Sequence, residues 1–178
     1  MRFWTILIGC LVLPNGWSQE PRGPSALEPK VPHVEREEKQ FSFYPGGRLE
    51  VLAGVPGNIR IIGWAKGSIR MEAEKIVYYH PEEKARELIA KNPIRVRYTQ
   101  TVATVRFPAP EQSDAAMEFN LTFYVPGDKT DVKVTMSRGD FAIESLNGWV
   151  ESTITEGSLE ARSMSGYFSG NTLKGDIY

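Results

Sequence analysis

Gly139-Asp140-Phe141-Ala142-Ile143-Glu144-Ser145-Leu146-Asn147 is followed by Gly148-Trp149-Val150-Glu151-Ser152-Thr153-Ile154-Thr155-Glu156, and the same frame restarts at Gly157, Gly166 and Gly175. Glycine therefore falls at a strict interval of nine, and two residues after each comes an apolar side chain: Phe141, Val150, Leu159, Phe168 and Ile177. Position five holds Ile143, Ser152, Ala161 or Gly170, small or apolar and on the same strand face as position three. A short strand plus a glycine turn is the natural unit of such a repeat. Nine residues hold only one strand and one turn, so two units make a coil. The matches Ser145 with Ser163, Leu146 with Met164, Phe141 with Leu159 and Ile154 with Thr172 support eighteen as the deeper period. The pattern predicts a right-handed β-solenoid or β-roll in which residues eighteen apart stack about 4.8 Å from one another. Glu144 is then expected beside Arg162.

Working toward the N-terminus, the period of two persists. Leu49 and Val51 alternate with Arg48 and Glu50, Ile59 and Ile61 flank Arg60, and Ile69, Met71 and Ala73 alternate with Arg70, Glu72 and Glu74. Gly46-Gly47, Pro56-Gly57, Gly63 and Gly67 punctuate these runs, the signature of strands with one buried face. Strands are also expected at 94–98 and 102–107. Met117, Phe119, Leu121, Phe123 and Val125 form the cleanest alternation, closed by Pro126-Gly127, and Val132, Val134 and Met136 follow. One helix is inserted. Pro81 suits its first position, Glu82 and Glu83 its positive end, Ala85, Leu88 and Ile89 its apolar face, and Asn92-Pro93 its stop. The fold class expected is mainly all-β with that single helix.

The N-terminus reads as an address. Arg2 precedes the mostly apolar run 3–13, and Gly16-Trp17-Ser18 places small residues before a cut after Ser18, so 1–18 is expected to be a secretory signal peptide. The run is shorter than the roughly 20 residues needed to span a bilayer, and no transmembrane helix is expected in the mature chain. Cys10 is the only cysteine and would leave with the leader. Leu7-Ile8-Gly9-Cys10 also resembles a bacterial lipobox, although the apolar run before it is short for a lipid anchor. Residues 19–40 carry Pro21, Pro24, Pro29 and Pro32 and then mixed charge, which reads as a stiff polar spacer before a β domain at 41–178. The location expected is periplasmic, cell-surface or secreted.

Composition narrows the function classes. The 178 residues carry 21 Lys+Arg against 22 Asp+Glu, so a nucleic-acid-binding surface is not expected. His33 and His80 are the only histidines, without ligand spacing and without a mature thiolate, so neither a metal nor another cofactor is expected. Single glycines per unit also depart from the doubled glycines of calcium-binding nonapeptides. The last unit stops at Tyr178 with no capping segment, so an open strand edge there either pairs with something or marks a longer solenoid; the second is preferred.

Residues 41–178 resemble the bacterial putative-adhesin family. The resemblance is carried by Gly57-Asn58-Ile59-Arg60-Ile61 with Gly63-Trp64, by 69–75 and the helix, and by Phe123-Tyr124-Val125-Pro126. Gly139-Asp140-Phe141, Gly148-Trp149-Val150 and Gly175-Asp176-Ile177 complete it. It implies an extracytoplasmic β-solenoid with a surface-attachment or envelope role, and supplies no catalytic residues.

Two candidate sites follow from the residues. Trp149 and Tyr167 occupy position two of alternate units, eighteen apart and opposite in face to Val150 and Phe168, so they are expected to form an exposed aromatic ladder suited to a glycan or an envelope protein. Asp140 and Asp176 share a phase and are expected about 9–10 Å apart, within reach of glycosidase carboxylates, although Gly-Asp is first of all a turn pair. The leading expectation is a non-enzymatic binding or scaffold domain. The alternatives are a carbohydrate-active β-helix enzyme and a regulatory envelope protein that docks a membrane sensor.

Overall fold

The computed structural model describes residues 32–78, 81–107 and 117–178. Its strands are β1 (His33–Ser42), β2 (Arg48–Ala53), β3 (Ile59–Trp64), β4 (Ser68–Val77), β5 (Arg95–Tyr98) and β6 (Val102–Phe107). They continue as β7 (Met117–Pro126), β8 (Asp131–Arg138), β9 (Phe141–Glu144), β10 (Asn147–Glu156), β11 (Leu159–Arg162) and β12 (Ser165–Lys174), with one helix, α1 (Glu82–Lys91). The expected signal peptide 1–18, with Cys10, and His80 lie outside the described residues.

The strands make two six-stranded sheets, β1-β4-β7-β3-β9-β11 and β12-β10-β8-β2-β6-β5. Alternation puts every second side chain between them. In the first sheet Met71, Phe123, Ile61 and Ile143 form one inward row, and Ala73, Leu121, Ile59, Phe141 and Leu159 the next. In the second, Val150, Val132, Leu49 and Ala103 line up, beside Ser152, Val134, Val51 and Val105. These rows form a single apolar core in which Phe43, Phe123 and Phe141 are fully buried. Removing a ring such as Phe141 should cost about 3–5 kcal/mol. At one end Tyr98 stacks on Phe41 with 4.2 Å between ring centroids, joining edge strand β5 to edge strand β1.

The expected right-handed β-solenoid or β-roll is therefore replaced by two open, mixed sheets. A solenoid pairs each strand with one a constant distance along the chain, always in parallel. Here β1 with β4, β4 with β7, and β5 with β6 are antiparallel. Several parallel pairs, moreover, join distant residues at unequal intervals: Ile59 opposes both Leu121 and Phe141, and Arg48 opposes both Val102 and Asp131. Only the C-terminal strands keep a constant register, with Val132, Val150 and Phe168 in line on one sheet and Phe141 and Leu159 on the other, each step eighteen residues. Successive nine-residue units thus alternate between the sheets, which is why glycines recur at nine while partners recur at eighteen.

The glycine positions have a steric cause. Gly139 sits at φ +122°, and a Cβ there would fall 1.8 Å from the carbonyl oxygen of Gly57; Gly157 repeats the arrangement at φ +140°, 2.0 Å from the oxygen of Gly139. The chain turns between sheets where backbones approach too closely for any side chain.

Residues 33–40, read in sequence as the end of the spacer, are instead strand β1, paired antiparallel with β4. Their charges have partners: Arg36 bonds Glu74 at 2.8 Å, and buried Lys75 reaches Glu35 at 3.3 Å and Glu37 at 3.2 Å. Helix α1 buries Ala85 and Ile89, while Pro81 serves as its N-cap, and Asn92 closes it with its amide donating to the Leu88 carbonyl at 2.9 Å.

Candidate functional site

The outer face of the second sheet carries the exposed aromatic pair. Trp149 on β10 and Tyr167 on β12 are directly opposed in a parallel register, because their inward neighbours Val150 and Phe168 are held by the core. Both are 57% exposed. The rings do not lie face to face. Their centroids are 5.0 Å apart with an interplanar angle of 68°, an edge-to-face contact favoured by the ring quadrupoles.

Beside Trp149 the sheet surface dips into a depression of about 280 Å³, lined by Arg48, Asp131, Lys133, Trp149 and Glu151. Asp131 is tied down, with its Oδ1 accepting the backbone N–H of Trp149 at 3.0 Å. Lys133 and Glu151 are bonded to each other at 3.0 Å. Arg48 is exposed and forms no ion pair among the described residues. An aromatic ring with a carboxylate, a fixed ion pair and a guanidinium at its side offers a stacking surface with donors and acceptors around it. Of these neighbours, Asp131 and Lys133 lie eighteen residues before Trp149 and Glu151, so the period found in the sequence, carried back one coil, would have found them. Arg48 comes from a distant strand, and nothing in the repeat points to it.

The first sheet has a larger depression of about 470 Å³, edged by Arg36, Glu38, Glu72, Glu74, Asn120 and Thr122. No aromatic ring lines it, and its polar groups largely satisfy one another: Arg36 bonds Glu74, Glu72 pairs with Arg70, and Asn120 accepts from the backbone and side chain of Asn58. Trp64 lies elsewhere on this sheet, half-buried, with its Nε1–H donating to the Ser68 carbonyl at 2.8 Å and the Arg70 guanidinium stacked on neighbouring Tyr124.

Asp140 and Asp176 have structural partners. Asp140 Oδ1 accepts the backbone N–H of Ser158 at 2.9 Å, and its own N–H donates to Asn58 Oδ1 at 3.0 Å. Asp176 accepts from the Tyr178 hydroxyl at 3.2 Å. Asn120, Asn58 and Asp140 thus form a ladder across the strand ends, each side-chain oxygen accepting the backbone N–H of the next, from Asn58, Asp140 and Ser158 in turn. Glu144 and Arg162 are opposite in register, yet Glu144 pairs with Arg60 at 3.0 Å and Arg162 with Glu160. His33 sits on β1, 3.5 Å from Glu82. Among the described residues, no group of three or more His, Cys, Asp or Glu gathers to hold a metal, and no helix is long and apolar enough to cross a membrane.

No protein-family model and no curated protein matches the sequence. Among solved structures, the chain is similar to a putative cell adhesion protein from Clostridium sporogenes at 12% identity, covering 80% of this chain and 98% of that one, with a TM-score of 0.41. It is similar to a putative adhesin from Parabacteroides distasonis at 12% identity, covering 80% and 69%, with a TM-score of 0.33. A putative lipid binding protein from the same organism is similar at 11% identity, covering 80% and 59%, with a TM-score of 0.32. These likenesses carry no argument about ligand. Similar structures from Parabacteroides merdae and Bacteroides fragilis are likewise named putative adhesins, the name of the family that the sequence resembles.

Proposed function

We propose that this chain is an exported, non-enzymatic binding domain that attaches to glycan through the outer face of its second sheet, with Trp149 and Tyr167 as the contact residues. The observation that carries the reading is the exposed edge-to-face pair, 5.0 Å between centroids, set beside the depression that Arg48, Asp131 and Lys133 share with Trp149. Large aromatic rings left in water contribute little to folding: Trp149 stands opposite the buried Val150, Ser152 and Ile154 of β10, and Tyr167 opposite the partly buried Phe168 of β12. Such rings are suited to stacking on a flat apolar face while the surrounding charges bond hydroxyls. The fixed Lys133–Glu151 pair and the tethered Asp131 favour this role, since pre-ordered polar groups lose little freedom on binding. The carboxylates weighed for hydrolysis, Asp140 and Asp176, are engaged at turns, which favours binding over turnover.

The test is a glycan-array and envelope-extract binding measurement on residues 19–178, alongside a Trp149→Ala/Tyr167→Ala double variant with unchanged β-sheet circular dichroism. Loss of binding by about tenfold or more in the variant is expected, in line with removal of two stacking contacts. Equal binding by both proteins would overturn the assignment of this face.

A further inference from the structure

Charges on the outer faces are mostly settled by a neighbouring strand. Arg36 meets Glu74, Arg60 meets Glu144, Lys133 meets Glu151 and Arg138 meets Glu156, at 2.8–3.1 Å. The β5–β6 end of the second sheet departs from this rule. Arg95 and Arg106 are directly opposite one another in the antiparallel register, and Arg97 follows on β5 opposite Thr104. Val96 and Val105 between them face the core, so alternation sends all three arginines to the outer face, where they are exposed. None of the three forms an ion pair among the described residues. Like charges placed directly opposite destabilise a sheet. The arrangement is unfavourable for folding alone; the other like-charged pair set directly opposite, Glu38 and Glu72, has Arg70 bonded to Glu72, whereas these arginines have no ion-pair partner among the described residues.

We propose that Arg95, Arg97 and Arg106 form an anion-recognition edge that takes the carboxylate or sulfate groups of an acidic polysaccharide. The inference rests on the reading of the second sheet's outer face as a sugar-binding surface and extends it to a ligand class. β6 and β5 lie three and four strand steps from β10, and the arginines are displaced two to four residues along the strands from the row of Trp149, which places them roughly 20–23 Å from it across one continuous face. The guanidinium fork bonds planar oxyanions through two parallel N–H donors, and does so better than a lysine ammonium. Two opposed forks, with a third about 6.7 Å further along the strand, suit acidic groups repeated along a polymer. An anionic membrane fits less well. Electrostatic attachment to lipid draws on clusters of about four to eight basic residues, whereas this edge has three, in a chain of net charge −1. Arginine on an edge strand also discourages edge-to-edge pairing, and the experiment separates that role from recognition.

Binding of the full chain is measured to polygalacturonate, to dextran sulfate, to neutral dextran and to phosphatidylglycerol vesicles. The wild type is compared with Arg95→Gln/Arg97→Gln/Arg106→Gln, with the corresponding triple Lys variant and with Trp149→Ala. The triple Gln variant should lose about tenfold or more on both acidic polymers and nothing on neutral dextran. The triple Lys variant, which keeps the charge that guards the edge but lacks the fork, should fall between them. Added salt should weaken acidic-polymer binding by the wild type. Wild-type affinity for acidic polymers in the Gln variant would overturn the inference. If the Gln variant aggregates, wild-type affinity in the Lys variant overturns it and leaves the arginines as edge guards. Binding to vesicles but to neither acidic polymer would give the edge to lipid instead. If arginine substitution changes nothing while Trp149→Ala abolishes polymer binding, this inference falls alone; a wild type that binds no polymer removes the sugar-surface reading as well.

Discussion

Asp131 and Trp149 are joined by a hydrogen bond of 3.0 Å from the Trp149 backbone N–H to Asp131 Oδ1, one strand across and eighteen residues apart. The same device recurs between Asp140 and Ser158 at 2.9 Å. In both, an acidic side chain satisfies a backbone donor one strand across and eighteen residues on: Trp149 is the third residue of β10, and Ser158 immediately precedes β11. The placement of the Trp149 ring therefore depends on a residue that never touches the ring's exposed face. Asp131→Ala should lower stability by about 1 kcal/mol and Asp131→Asn by less, since an amide oxygen still accepts. Urea unfolding of the three proteins checks this, and equal midpoints would show that the bond contributes nothing.

A repeat glycine and a loop glycine should differ sharply in tolerance. Gly157→Ala places a Cβ 2.0 Å from the Gly139 carbonyl oxygen at φ +140°, and should cost about 3 kcal/mol or prevent folding. Gly46→Ala, at φ +84° with open space around it, should cost only about 1–2 kcal/mol, the left-handed penalty alone. Thermal or urea denaturation separates them; similar costs would mean that conformation, not backbone approach, selects these glycines.

Ser152 occupies an inward position between Val134 and Gly170, 2% exposed, and its hydroxyl has no hydrogen-bond partner among the described residues. Ser152→Ala removes a buried polar group while leaving the small volume, so stability should be unchanged or raised by up to about 1 kcal/mol. A clear loss of stability would reveal a partner for the hydroxyl.

Acid should weaken the β1–β4 edge. Burial works to raise the Glu37 carboxyl, but hydrogen bonds from Lys39 and Lys75 and their charges outweigh it and hold the group below the usual carboxylate range. In the unfolded chain Glu37 takes up its proton near pH 4.3, whereas in the fold it stays ionised to lower pH. Its contribution is thus complete above that value and is lost as pH falls through the lower, folded pKa. Urea midpoints measured from pH 6 to pH 3 should fall on the acid side for the wild type and fall less for Glu37→Gln. Parallel curves would exclude Glu37 as the group responsible.

Strand, turn and helix were legible because each rests on neighbours in the chain. The alternation of Met117 to Val125, the glycine frame from Gly139 and the helix bounded by Pro81 and Asn92 are local signals, and the structure places elements on all three. The eighteen-residue register and the outward exposure of Trp149 and Tyr167 are also local consequences, since a strand's period of two decides which side chains share a face. β1 was missed because its charged run, Glu35 to Lys39, lacks that apolar alternation. It is a strand because β4 supplies a ladder of backbone partners and Lys75 a buried cation for its carboxylates.

By itself the sequence determined the element types, the glycine turns and the faces on which the aromatic side chains lie, all set by backbone sterics and hydrophobic period over a few residues. Tertiary structure alone decided that the strands divide into two open mixed sheets, that β3 lies between β7 and β9, and that β2 lies between β6 and β8. It alone brought Arg48 beside Trp149 and set Arg95 against Arg106. Pairings across dozens of residues are chosen by how whole apolar faces close on one core, and no local pattern records which strand will be the neighbour.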